Sequence, residues 1–214
     1  MDKTTRGKML TTIFFFGGLW GLAEAVLGYV LHMLPPGIQG FVMFPIGFYF
    51  MHRAYKRTQK PLAIFLVGVI ATGIKLFDLF LPVVPVLRTV NPAACILFEA
   101  VMVFVVFRAF STQSKAFIPL AAILPSLCWR ILYIAMTYIQ TLFGIPSGTI
   151  SAGWGTITQM VFLEGLANAA VILIYLYVEK AISRNTETKA RLFPAYSIVA
   201  IVLALGATLA LPLL

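Results

Sequence analysis

Apolar residues run along this chain in long stretches, broken at intervals by short clusters of charge, proline and glycine. About 20 consecutive apolar residues make a helix long enough to cross a bilayer. The runs between these breaks predict helices over 9–34, 38–55, 61–82, 91–110, 116–143, 155–179 and 193–213. The expected fold is all-α. It is a polytopic transmembrane helical bundle of about seven spans, a six-helix core plus a C-terminal helix, in one integral membrane domain over 1–214. The second run is short and carries Pro45, whose missing amide donor should kink a helix there. The basic start of the chain resembles a signal peptide, but the apolar run after it is too long for one and ends without a clear small-residue cleavage site, so 9–34 is read as a retained helix.

The basic residues give the orientation. Lys3, Arg6 and Lys8 precede the first span; Arg53, Lys56, Arg57 and Lys60 follow the second; Arg108 and Lys115 follow the fourth; Lys180, Arg184, Lys189 and Arg191 follow the sixth. With seven spans all of these fall on one side, and the opposite loops hold Arg88 alone. Removing the second span would scatter them over both sides, which is the reason to keep it. The positive-inside rule then predicts a cytoplasmic N-terminus and an external C-terminus, in a bacterial or archaeal plasma membrane. Of the outer loops, GIPSGTISAGWG is rich in Gly, Ser and Thr and carries Trp154, so it is either a lid or an ordinary connection. Leu22–Val26 echoes Leu97–Val101, which suggests an inverted repeat of 9–82 and 91–179, although a sequence rich in Ala, Leu and Val also produces such matches by chance.

Composition narrows the function classes. The chain is 61% hydrophobic and 11% charged, against about 25% charged in a soluble domain, which leaves no room for a sizeable aqueous domain. The net charge of +9 is accounted for by residues flanking spans, so the lipid bilayer rather than nucleic acid is the expected partner. Cys95 and Cys128 lack metal-ligand spacing, and no cofactor is expected. His32 and His52 fall at opposite ends of their spans and read as interfacial. The sequence contains no P-loop, GxSxG or HExxH, so an enzyme is not the expectation, although intramembrane carboxylates could supply an acid and a base.

The chemistry-bearing residues lie inside the spans: Glu24, Lys75, Asp78, Glu99, Arg130 and Glu164. At about 2.5–3.5 kcal/mol for each central charge, six unpaired charges would cost about 15–20 kcal/mol, comparable with a whole fold's stability. They must be paired, protonated or hydrated. Helix rise places Glu24 and Arg130 near the midplane and the others in the outer half. Lys75 and Asp78 share a face, as do Glu164 and Asn168, and as do Ser126, Arg130, Tyr133 and Thr137. Trp20 and Trp129 stand beside or one turn from an ionisable residue, where an indole either stacks on a ligand or packs the core. These residues together are candidates for a solute site. The competing reading makes Lys75 with Asp78, and Arg130 with Glu99 or Glu164, interhelical ties without a ligand. Gly17, Gly21 and Ala25 form a small-residue face that admits another helix, in this chain or on a partner.

The stretch GGLWGLAEAVLG, followed by the positions around Lys75, Asp78, Glu99, Arg130 and Glu164, resembles in general plan the substrate-binding S component of energy-coupling factor importers. That resemblance implies a membrane uptake component binding a small polar solute, such as a vitamin, an amine or a metal ion, in the outer half of the bundle. It also implies a transmembrane coupling subunit and separate ATPases as partners. Such components usually have six helices, so the expected seventh adds to the plan. A scaffold or assembly subunit with structural ion pairs, and a proton-coupled carrier, are the other readings that intramembrane carboxylates allow.

Overall fold

In hydrocarbon no backbone amide or carbonyl can stay unpaired, and a helix satisfies them all within one segment. The computed structural model describes residues 3–31, 38–82, 84–183, 198 and 200–205, and of residues 3–5, 29, 38 and 39 the backbone only. Its elements are α1 (Lys3–Leu31), α2 (Ile38–Thr58), α3 (Pro61–Leu76) with a 3-10 turn (Phe77–Phe80), α4 (Val86–Ala109) and α5 (Phe117–Leu142). Two short helices follow, α6 (Gly148–Ser151) and α7 (Trp154–Thr158), then a π segment (Gln159–Glu164) and α8 (Gly165–Ser183). No strand occurs among the described residues. Five segments are long and apolar enough to span a membrane: Arg6–Gly28, Pro61–Phe80, Val86–Ala109, Phe117–Leu142 and Trp154–Ile182. The expected second span forms as a helix but is not among these five, because its last turns carry His52, Arg53, Lys56 and Arg57. Of the expected seventh span, Ile198 and 200–205 are described; they are helical, and Ala200 and Ala204 are buried.

Side-chain contacts fix the directions. Trp20 of α1 meets Gly47 of α2 while Phe16 meets Phe50, so α1 and α2 are antiparallel. Gly17 and Gly21 face Ile70 and Ile74, so α1 and α3 are parallel. Gly68 lies against Ala100, and the Thr72 hydroxyl donates to the Ala93 carbonyl at 3.5 Å, so α4 runs against α3. Phe107 packs on Phe117 at 5.0 Å and Gln140 donates to Asn91 at 3.0 Å, so α5 runs against α4. Asn168 reaches Gly40 and Tyr175 reaches His52, so α8 is parallel to α2. Helices α1, α3 and α5 thus run one way and α2, α4 and α8 the other.

This arrangement gathers Arg6, Lys8, Arg53, Lys56, Arg57, Lys60, Arg108, Lys115 and Lys180 at one end of the bundle and leaves Arg88 at the other. A short reversal joins α2 to α3 at the basic end: Gln59 takes a positive φ of 54° and Pro61 starts α3, where a missing amide costs nothing.

The small-residue face of α1 meets a helix of this same chain. A Cβ added at Gly17 would stand 2.6 Å from Ile70, and one at Gly21 would stand 2.5 Å from Ile74. Gly18 meets the backbone of Ala200, and Ala25 is buried. Trp20 is wedged between Gly47 of α2 and Gly68 of α3, with no exposed surface. Gly21→Leu and Gly68→Val are therefore expected to lower stability by at least about 1–3 kcal/mol, the usual cost of overpacking. Gly73→Ala, where no atom lies within 4 Å of the added carbon, should leave it unchanged or raise it. Thermal unfolding of the purified protein in detergent measures all three.

Candidate functional site

Each ionisable residue inside the spans comes from a different turn of the bundle. Glu24 stands near the end of α1, Lys75 near the end of α3 and Asp78 on the 3-10 turn after it; Glu99 and Arg130 lie mid-helix on α4 and α5, and Glu164 closes the π segment. Antiparallel packing brings them into one layer, between the middle of the bundle and the end opposite the basic residues. Glu24, Asp78, Glu99 and Arg130 are buried, and Lys75 and Glu164 are partly so. Their charges form a connected series: Lys75 acts on Glu24, Glu24 on Glu99, and Arg130 on both Glu99 and Glu164.

Two kinds of contact appear in this layer. Lys75 Nζ and Asp78 Oδ2 pair at 2.7 Å, as the tie reading expects. Arg130 does not make its expected tie: no carboxylate oxygen of Glu24, Glu99 or Glu164 lies within 4.0 Å of its nitrogens. Arg130 Nη1 instead donates to the Ser126 carbonyl, one turn back on its own helix, at 2.7 Å, and the guanidinium lies over the Trp129 ring at 4.5 Å. Its Nε and Nη2 have no hydrogen-bond partner, although the side chain is 0% exposed. The same holds for Glu99 Oε2, Trp129 Nε1 and Asn168 Oδ1.

Backbone geometry explains how α2, α5 and α8 come together here. Asn168 Nδ2 donates to the Gly40 carbonyl at 3.1 Å. A Cβ at Gly40 would stand 3.6 Å from the Trp129 ring and 4.0 Å from Arg130 Nη2, so the glycine brings α2 close to both. Gly165 does the same for α8, where an added Cβ would be 3.3 Å from the Ser126 carbonyl oxygen and 2.7 Å from Leu127. The π segment before it inserts extra backbone into the helix, a distortion common at functional sites, and carries Glu164 as its last residue. Of the two tryptophans weighed as ligand contacts, Trp20 packs between glycines and Trp129 stands directly beside Arg130, and the indole Nε1 of each is buried without a hydrogen-bond partner.

Sequence reasoning passed over three participants. Cys95 lies one turn before Glu99 on the same helix; the i, i+4 spacing was the available signal. The Gly40 carbonyl and the Ser126 carbonyl are backbone groups with no sequence signature. His52 stands at the basic end of the bundle and is buried there, with Nδ1 and the Tyr175 hydroxyl 2.9 Å apart and Phe48 stacked on its ring. His32 lies outside the described residues. The loop weighed as a lid folds into α6 and α7, with Trp154 80% exposed.

The Lys75–Asp78 pair yields a stability prediction. Lys75→Met leaves a buried carboxylate alone and should cost about 3–5 kcal/mol, whereas Lys75→Met with Asp78→Leu should recover most of that loss. Denaturant unfolding of the two variants distinguishes the pair from an ordinary surface bridge, for which the single and double variants would differ little. No family model, curated protein or solved structure compared with this chain matches it.

Proposed function

We propose that this chain is a membrane uptake component that binds a small polar solute among Glu24, Lys75, Asp78, Glu99, Arg130, Glu164 and Asn168, the layer flanked by Trp129. The carrying observation is the unpartnered state of Arg130 Nε and Nη2 in a fully buried side chain, beside unpartnered atoms of Glu99 and Asn168. Native interiors satisfy nearly all buried polar atoms, and a permanently charged guanidinium is among the most costly to leave unmet. Several such atoms in one layer suit a site filled by a polar guest better than a finished set of internal ties. The Lys75–Asp78 pair is the feature that favours the scaffold reading, since its two charges meet without a ligand, although Asp78 Oδ1 is left unpartnered.

In this proposal α2 and the C-terminal segment also cross the membrane, giving seven spans, and the basic end faces the cytoplasm of a bacterial or archaeal cell. The solute then enters from outside. The sequence holds no nucleotide-binding loop, in keeping with an S component that works with a coupling subunit and separate ATPases.

Purified protein screened against vitamins, amines and divalent cations should gain thermal stability with at least one of them, and Glu99→Gln and Arg130→Ala should reduce the gain while keeping helical content. Should no solute stabilise it, with both substitutions merely destabilising, the scaffold reading prevails. For orientation, a membrane-impermeant maleimide applied to intact cells should label Ser147→Cys and leave Ser114→Cys unlabelled; the reverse pattern would invert the topology.

A further inference from the structure

The site's ligand class follows from which atoms are unmet. A guanidinium has two bidentate edges, and Nε with Nη2 forms one of them, the spacing of which matches the two oxygens of a carboxylate. In Arg130 both donors of that edge are unpartnered, while Nη1, on the far side, is committed to the Ser126 carbonyl at 2.7 Å. The edge is held in place: Trp129 supports the guanidinium face at 4.5 Å, and the Gly40 backbone stands near Nη2. Lys75 is spent on Asp78, so the remaining ionisable groups of the layer are three carboxyls, Glu24, Glu99 and Glu164, and one guanidinium.

A simple anion would satisfy the Arg130 edge but leave Glu99 Oε2 and Asn168 Oδ1 without a donor. A simple cation would satisfy the acids and leave the guanidinium edge unmet. Only a molecule with both groups answers both demands. Resting on the uptake reading, we propose that the site takes a small zwitterion, with its carboxylate on the Nε/Nη2 edge of Arg130 and its ammonium toward Glu99 Oε2. Arg130 is then the residue that selects for the carboxylate, and Glu99 the one that selects for the ammonium.

The test uses the full chain in detergent, measuring binding and thermal stability with free α-amino acids, their methyl esters, which lack the anion, and the matching deaminated acids, which lack the cation. Charge-assisted contacts of this kind support a preference of about 10–100-fold. At least one free amino acid should bind that much more tightly than both its ester and its deaminated acid. Arg130→Lys, which keeps the charge and loses the planar fork, should erase the preference over the ester alone. Glu99→Gln should erase the preference over the deaminated acid alone. Binding of esters, simple amines or divalent cations as tight as or tighter than that of every amino acid would overturn the zwitterion and leave the uptake reading standing. Failure of every probe in all these classes would overturn both.

Discussion

The guanidinium of Arg130 constrains this molecule more than any other group. It cannot shed its proton, so burial at mid-helix has to be answered by hydrogen bonds or opposite charge. The surrounding structure answers it in part. The Ser126 carbonyl takes one nitrogen, Trp129 supports the face, and the fields of Glu99 and Glu164 offset the charge from a distance. What is withheld is direct contact with a carboxylate, although acids are in excess nearby. A bundle needing only stability would close that gap, because an ion pair left half-made in a low-dielectric interior is the costly arrangement.

The layer's geometry depends on glycine. Bringing six helices close enough for ionisable groups on five of them to share one layer requires backbones to approach without intervening side chains. Gly17, Gly21 and Gly68 hold α3 against α1 and α4, Gly47 admits the Trp20 indole, and Gly165 sets α8 against α5 at the level of Ser126. In lipid, where helices gain little by hiding apolar surface from one another, such close contact is a main source of association. The same glycines that stabilise the bundle therefore place Glu24, Glu99, Arg130 and Asn168 at one depth, which ties site geometry to fold stability.

Much of this was legible in the sequence because the membrane imposes simple rules. The one-sided distribution of Lys and Arg required a helix at 38–55, and α2 does run antiparallel to α1 there, even though its own residues are too polar for it to count among the five clear spans. Helical spacing correctly joined Lys75 to Asp78. It could not decide whether Arg130 would reach Glu99, since a tie across helices depends on rotation and separation that no spacing along one helix encodes. The short 3-10 turn that seats Asp78, the π segment that delivers Glu164, and the earlier start of α4, which carries Pro92 inside it, also lay beyond periodicity. The first two are local departures from 3.6 residues per turn, and the third is a boundary that a proline inside the helix does not mark.

The two polar levels of the bundle differ in a way that bears on access. At the basic end His52 meets Tyr175, and Lys56 meets Glu179 at 3.5 Å. Between that level and Arg130 stands a continuous column of aromatic rings. Trp129 contacts Phe44 at 6.0 Å, Phe44 contacts Phe48 at 6.4 Å, Phe48 contacts Phe107 at 6.3 Å, and Phe107 contacts Phe117 at 5.0 Å. Phe44 and Phe48 have no exposed surface, so the column closes the bundle's centre beneath the charged layer. A polar solute passing that way would have to leave water among packed rings, where nothing replaces its hydrogen bonds. On the other side Glu164 and Lys75 are only partly buried, and the short helices after α5 stand apart from the aromatic column. If the proposed solute is taken up, the unequal closure of the two sides favours its entry from the end opposite the basic residues. Under the proposed uptake reading, onward movement toward the basic end would require the helices themselves to shift, because the rings leave no polar path between them.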